Sequence, residues 1–480
     1  MPRLRAHDGP ATQSDVSLTT TAPRPVRARR LAPATPFALL GAWVLLVAAL
    51  LARHAVDNRY VFRDEANAIL LGRMISNEPS QAWTGSVARG IERMTSLFAA
   101  GAALATDGPT DQIELLHLWA ATCQSLVAIP VWLAARTLGL SRWQALVPAA
   151  VASAGSFASF GIFTLNTAVG SLTAALLLWA MVRALARPGL VSDGLVLVTL
   201  GLLALSRIGW APLVVALAPA VLATVWSERP PAEPARRWLA RLPRRLVRRH
   251  PLLLPAGLAV LVVAAVAGPS LLLGGEMYGG IRLQSNLELS RLWDNTRLLG
   301  AHLAIGLAIV PLVLALPMIA WGLVRPRDPL EGGFAWLVLG LVLAFSYAYY
   351  FSMNEDRYFA VLVPPLALAG AVALFRRPPP AWAGVLSGAL VVALVASSYS
   401  WPAGGPYDYF IAPTSRFFGD VVTGKLAQWL PGASGLYAVL VPAAAGLGAV
   451  LALQLGRRPR GVRRAGVAAA GVVLAGVLVF

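Results

Sequence analysis

The chain has 480 residues, 57% of them hydrophobic and 13% charged, where a soluble domain carries about 25% charged residues. That composition excludes an ordinary soluble globular fold. The 40 Lys and Arg outnumber the 22 Asp and Glu, for a net charge of +18, and the single cysteine, Cys123, excludes an intrachain disulfide.

Residues 1–33 are polar, with Arg24, Arg27, Arg29 and Arg30 near their end, and are expected to form a disordered cytoplasmic arm. The apolar run behind them is too long for a signal-peptide core and lacks a small-residue cleavage site, so it reads as an uncleaved first span. Apolar runs of about 20 residues, the length that crosses a bilayer core of about 30 Å, recur along the chain. They predict an all-α polytopic membrane protein of about thirteen spans, roughly 34–53, 113–135, 144–162, 165–185, 190–206, 208–226, 252–273, 298–323, 333–351, 358–375, 381–399, 435–455 and 465–480.

With the N-terminus inside, inner segments hold about 27 of the 40 basic residues and about 7 of the 22 acidic ones. The inner face is then near +20 and the outer near −2, so the basicity is topological and calls for no nucleic acid. "RRWLARLPRRLVRRH" (Arg236–His250) looks like a polyanion-binding patch in isolation; on the inner side it reads as a loop anchored against anionic lipid heads. Three outer segments are long, about 54–112, 274–297 and 400–434, and chemistry is expected there and at the helix ends beneath them. "ANAILLGRMI" (Ala66–Ile75) and "GIRLQSNLELSRLWDNTR" (Gly280–Arg297) both read as short amphipathic helices in the interface plane.

The first outer loop opens with "RDEANAILLGRMI", Arg63 to Ile75. Asp64 suits a helix N-cap and Glu65 the first turn of the dipole. A capped carboxylate is also ionised and rigid, as a general base should be. Consecutive helical side chains diverge by about 100°, so one acid acts and the other supports. Arg207 in "LSRIGW" is the only charge between Asp193 and Glu228. It is either a turn residue snorkelling to water or a guanidinium placed to grip a phosphate. "NEDRYFAVLVPPLAL" (Asn354–Leu368) brings Glu355, Asp356 and Arg357, a self-neutralising turn or a second cationic contact. Tyr358, with Tyr347, Tyr349 and Tyr350, fits an interfacial aromatic belt. Weaker candidates are Glu92, Arg93, Asn166, His302 and Lys425. An outward carboxylate beside phosphate-gripping arginines suits transfer of a sugar carried on a lipid phosphate. The acid takes the proton of the acceptor hydroxyl, and the arginines stabilise charge on the departing phosphate.

Over roughly residues 35–400 the chain resembles the GT-C superfamily of integral-membrane glycosyltransferases, in pattern more than identity. The matching parts are "RDE" after the first span, "LLHLWAATCQSLVAIPVWLAARTLGLSRWQALVPA" (Leu115–Ala149), "SRIGW" and "DRYFAVLVPPLAL", in that order. Protein O-mannosyltransferases, the aminoarabinose transferases of lipid A, and actinobacterial mannosyl- and arabinosyltransferases are of this kind. The resemblance implies an inverting enzyme using a polyprenyl-phosphate sugar and acting on an envelope lipid, glycan or protein. It implies Asp64 as base with Glu65 beside it, and Arg207 and Arg357 on the lipid phosphate; Arg63, Tyr358, Glu92 and His302 complete the candidate substrate site. It places a catalytic module at 34–399, with outer loop 54–112, and a further outer loop and C-terminal spans at 400–480. The first loop has no D-x-D, so no motif requires a divalent metal. Ala68 replaces an aromatic or His common in relatives, and "RGIERMTSLF" replaces a Pro-rich segment. The alternatives are a multi-spanning transporter or lipid flippase, or a non-catalytic membrane protein of the same fold.

Overall fold

The computed structural model of the protein describes residues 34–57, 93–106, 108–155, 166–230, 233–259, 309–348 and 356–398, with positions 69, 70, 72, 73, 76, 296, 297, 299–304 and 307. The described elements are helical throughout. In chain order they are α1 (Thr35–Asp57), α2 (Arg93–Ala105), α3 (Pro109–Leu126), α4 (Ala128–Thr137) and α5 (Leu146–Ala154). Then come α6 (Asn166–Ala186), α7 (Leu190–Arg207), the 3-10 segment η1 (Ile208–Ala216), α8 (Leu217–Ser227) and α9 (Ala235–Arg249). The last are α10 (Val310–Val324), α11 (Pro329–Ala348), the 3-10 segment η2 (Asp356–Leu362), α12 (Val363–Phe375) and α13 (Ala381–Ser398).

Five described helices are long and apolar enough to cross a membrane: 35–55, 110–137, 167–186, 190–207 and 329–346. The second is α3 running into α4 through Val127, which stays right-handed helical at φ −52 and ψ −30. Shorter apolar helices cover Leu213–Ser227, Val310–Val324, Phe359–Phe375 and Ala381–Val395. Apolar side chains also point outward, as at Leu45 (71% exposed), Val191 (70%) and Val215 (65%). Helices apolar on every side belong in a bilayer, and this is a helical membrane protein. The expected spans 435–455 and 465–480, the arm 1–33 and most of loop 54–112 lie outside the described residues.

The two 3-10 segments have a local cause. η1 contains Pro212, and η2 runs into Pro364 and Pro365 at the start of α12. Proline removes a backbone donor and pushes the residue before it away from α geometry. The expected single span 298–323 is also interrupted. Residues 299–304 are helical and α10 begins at Val310, but Ile309 between them has φ 67, a region that a β-branched residue rarely enters.

Helices approach closely where glycine faces a small neighbour, as is common inside membranes. A Cβ on Gly340 would lie 3.0 Å from that of Ala216, and one on Gly333 would strike Thr224 and Ala220. These contacts set α8 and η1 antiparallel to α11, with the end of α8 beside the start of α11.

That end of the bundle is basic and tightly stapled. Gly139, at φ 84, closes α4, and the Arg376 guanidinium lies against it. Arg376 donates to the Leu138 carbonyl and pairs with Asp328 at 3.2 Å. Arg327 donates to the Arg376 carbonyl at 2.7 Å. Arg377 pairs with buried Glu331 and donates to the Arg325 carbonyl at 2.9 Å. Three connections are thereby joined: α4–α5, α10–α11 and α12–α13. Asp193, fully buried in the first turn of α7, has His250 Nδ1 at 2.9 Å and accepts the Leu252 and Leu253 N–H groups. The opposite end carries the last residues of α7 and α11, the start of α6, and η2.

Candidate functional site

The end opposite the stapled one holds the candidate residues that are described. Arg207 is the last residue of α7, and no loop follows it: the chain passes directly into η1. Its side chain is buried, at 8% exposure, which corrects the reading of a turn residue reaching for water. Nη1 donates to Thr167 Oγ1 at 2.9 Å, and the guanidinium carbon sits 4.6 Å from the centre of the Trp210 ring. A planar cation between a hydroxyl and an aromatic face is oriented as well as sheltered.

The start of α6 shapes this pocket. Gly170, one turn after Thr167, leaves room for Arg207 and Trp210; a Cβ there would meet the Trp210 ring at 3.0 Å and Arg207 Cβ at 3.3 Å. One turn further, Thr173 Oγ1 lies 2.7 Å from Ser206 Oγ, joining α6 to α7 inside the bundle. The Trp210 Nε1–H is buried with no acceptor among the described residues. Beneath these groups lies a small apolar cavity of ≈ 20 Å³, lined among others by Leu177, Leu203, Leu213 and Val361, about the size of one water molecule.

His302 is buried at 3% exposure, with its ring 5.5 Å from Phe359, which in turn lies 6.0 Å from Phe345. Phe359 belongs to η2, so His302 packs beside the segment that bears Arg357 and Tyr358, and η2 packs on α6. The side chains of Arg357 and Tyr358 are outside the description, as are those of Arg93 and Asn166 at the starts of α2 and α6.

Asp64, Glu65, Arg63, Glu92 and Lys425 lie outside the described residues. The chain just beyond the acid pair is helical at 69–70, 72–73 and 76, as the amphipathic pattern predicts. Ile69 is buried against Ala99, Ala102 and Leu116. Gly72 abuts Ala99, and Arg73 Nε donates to Gln112 Oε1 at 2.9 Å. Gln112 in turn donates to the Ala99 carbonyl at 3.2 Å. This turn is therefore docked on α2 and α3. Phe98 of α2 packs against that cluster and also against the one containing Ala168 and Val169 of α6, whose neighbour Thr167 holds Arg207. The segment after the acid pair and the Arg207 site thus share one packed support.

No group of three or more His, Cys, Asp or Glu that could hold a metal ion occurs among the described residues. No protein-family model, curated protein or solved structure matches the chain.

Thr167, Gly170, Thr173 and Trp210 carry no signal as isolated letters. Thr167, Gly170 and Thr173 recur at i, i+3 and i+6 in "NTAVGSLT", one face of a helix. Such a small and polar face in an apolar helix marks where another helix comes close.

Proposed function

We propose that this chain is an inverting glycosyltransferase of GT-C type, with a bundle of about thirteen spans, which moves a sugar from a polyprenyl phosphate to an envelope lipid, glycan or protein. The stapled basic end faces the cytoplasm, in keeping with the arginine excess there, and the Arg207 end faces outward. Asp64 takes the proton of the acceptor hydroxyl, with Glu65 supporting it. The freed oxygen attacks the anomeric carbon from the side opposite the lipid phosphate, whose bond to that carbon breaks. Arg207 and Arg357 stabilise the departing phosphate; Arg63, Tyr358, Glu92 and His302 line the donor site. The reading needs no metal.

The observation that carries this reading is the buried, pre-oriented guanidinium of Arg207 on the same packed support as the turn that follows Asp64 and Glu65. A charge held at a helix end of a membrane bundle is costly and tends to be functional. The test is transfer from a panel of radiolabelled polyprenyl-phosphate sugars in membranes bearing the full chain. Arg207→Gln and Asp64→Asn are each expected to lower the rate about 100- to 1000-fold with insertion unchanged and, for Asp64→Asn, melting unchanged. Wild-type rates in both variants would reject the assignment. Reporter fusions at residues 240 and 420 check orientation, and a cytoplasmic signal at 420 would reject it.

The break at Ile309 favours a second reading, transport or lipid flipping, since interrupted helices line transporter sites. Protein-dependent movement of a polyprenyl phosphate across vesicles, without sugar transfer, would select it.

A further inference from the structure

The helix α9 crosses the basic end between the tail of α8 and the head of α7. Its seven arginines divide into two sets. On the inward side Trp238 is fully buried, edge-on to Trp226 with ring centres 5.2 Å apart. Arg245 lies over the Trp238 ring. Arg241 and Arg245 pair with Glu233, and Arg249 pairs with Glu228. His250, just past the helix, closes on Asp193. α9 is thus clamped along its length, with three of its arginines paired to two carboxylates, although Arg241 is itself 68% exposed.

The outward side is different. Arg236, Arg237, Arg244 and Arg248 are exposed and have no ion-pair or hydrogen-bond partner among the described residues. At about 100° per residue, Arg237, Arg244 and Arg248 fall within about 40° of one another. About 120° round the helix from this cationic strip lies a ridge spaced every four residues: Leu239 (48% exposed), Pro243 and Val247 (49% exposed). The clamp holds both at the level where the apolar helices end.

We propose that α9 is a lipid-recognition helix: its clamped face fixes it to the bundle, its free arginines bind the headgroups of anionic lipids, and its Leu239–Pro243–Val247 ridge enters the acyl boundary. Charge complementarity selects an anionic partner. The apolar ridge selects a lipid leaflet over a nucleic acid, whose phosphate backbone would engage the arginines and leave the ridge in water. The proposal does not depend on the glycosyltransferase reading.

The test uses the full chain with Leu239→Cys labelled by bimane; the native Cys123 is buried. The protein is reconstituted in vesicles of four parts phosphatidylcholine to one part phosphatidylglycerol, with bromine on the acyl chains of one lipid or the other. Brominated phosphatidylglycerol is expected to quench well beyond its share of the bilayer. The excess should fall about fivefold per arginine in the combined Arg237→Gln, Arg244→Gln, Arg248→Gln variant, survive the matching Lys substitutions, and shrink in high salt. The salt response needs no variant and covers any loss of folding. Quenching in proportion to abundance would overturn the proposal, and so would no quenching by either lipid. Salt-sensitive binding of polyuridylate to the protein in pure phosphatidylcholine, without a lipid preference, would assign the patch to RNA instead.

Discussion

Arg207 is held from two sides, by a hydroxyl and by an indole face, and each makes its own demand on the sequence. Thr167→Val keeps shape and removes the acceptor of Nη1. A hydrogen bond to a charged group contributes about 1.5–3 kcal/mol, so the guanidinium would lose its fixed direction. Under the proposed glycosyltransferase reading we expect donor affinity to fall about tenfold or more, accompanied by a lower melting temperature, read by sugar-transfer kinetics beside a melt. Arg207 was legible in the sequence because a lone charge in a long apolar stretch has few explanations. Its burial and its partners were not, because Thr167 lies 40 positions away on another helix. The first-loop acids show the reverse: the proposed chemistry was drawn from "RDE", while the packing of the turn beyond it on α2 and α3 depends on Gly72 and Gln112, which carry no such mark.

Elements were easiest to read where apolarity alone decides them, and hardest where charge and apolarity alternate. "ARRWLARLPRRLVRR" reads as a basic loop if its arginines are counted, but as a helix if Trp238, Leu242 and Leu246 are spaced out at every fourth position. The internal Pro243 obscured that period. The pairing of α8 with α11 rests on absence of side chain, since Gly333 admits Thr224 and Ala220 at a distance no larger residue allows. Gly333→Leu is therefore expected to force the two helices apart and cost about 1–3 kcal/mol, as overpacking does. The buried thiol of Cys123, at 4% exposure, provides the readout: a thiol-reactive dye added during heating should react at a lower temperature in this variant.

For the whole molecule the described spans follow the apolar runs closely, because bilayer thickness leaves a helix little freedom of length. The boundary at Arg207 was legible, falling between the expected spans 190–206 and 208–226, but the break at Ile309 inside the expected span 298–323 was not, since backbone geometry there responds to packing and not to hydropathy. Two of the ion pairs of the basic end also differ in kind. Arg376 and Asp328 are 33% and 38% exposed, so water screens them. Arg377 and Glu331 are 16% and 3% exposed. Arg377→Leu leaves a carboxylate buried alone and is expected to cost about 3–5 kcal/mol. Adding Glu331→Leu should restore much of that loss in the same dye assay, so that the double variant melts above the single one.

Those long-distance joints also bear on how the chain comes together. The polar contacts of α1 among the described residues, Ala55 with His117 and Trp43 with Ser153, reach 62 and 110 positions downstream. At about 5–20 residues per second of synthesis, the first span waits several seconds in the bilayer before those partners emerge. A helix that must survive such an interval with only hydrocarbon for company cannot keep a polar stripe in reserve, and the unbroken oiliness of "LLGAWVLLVAALLA" meets that early solitude.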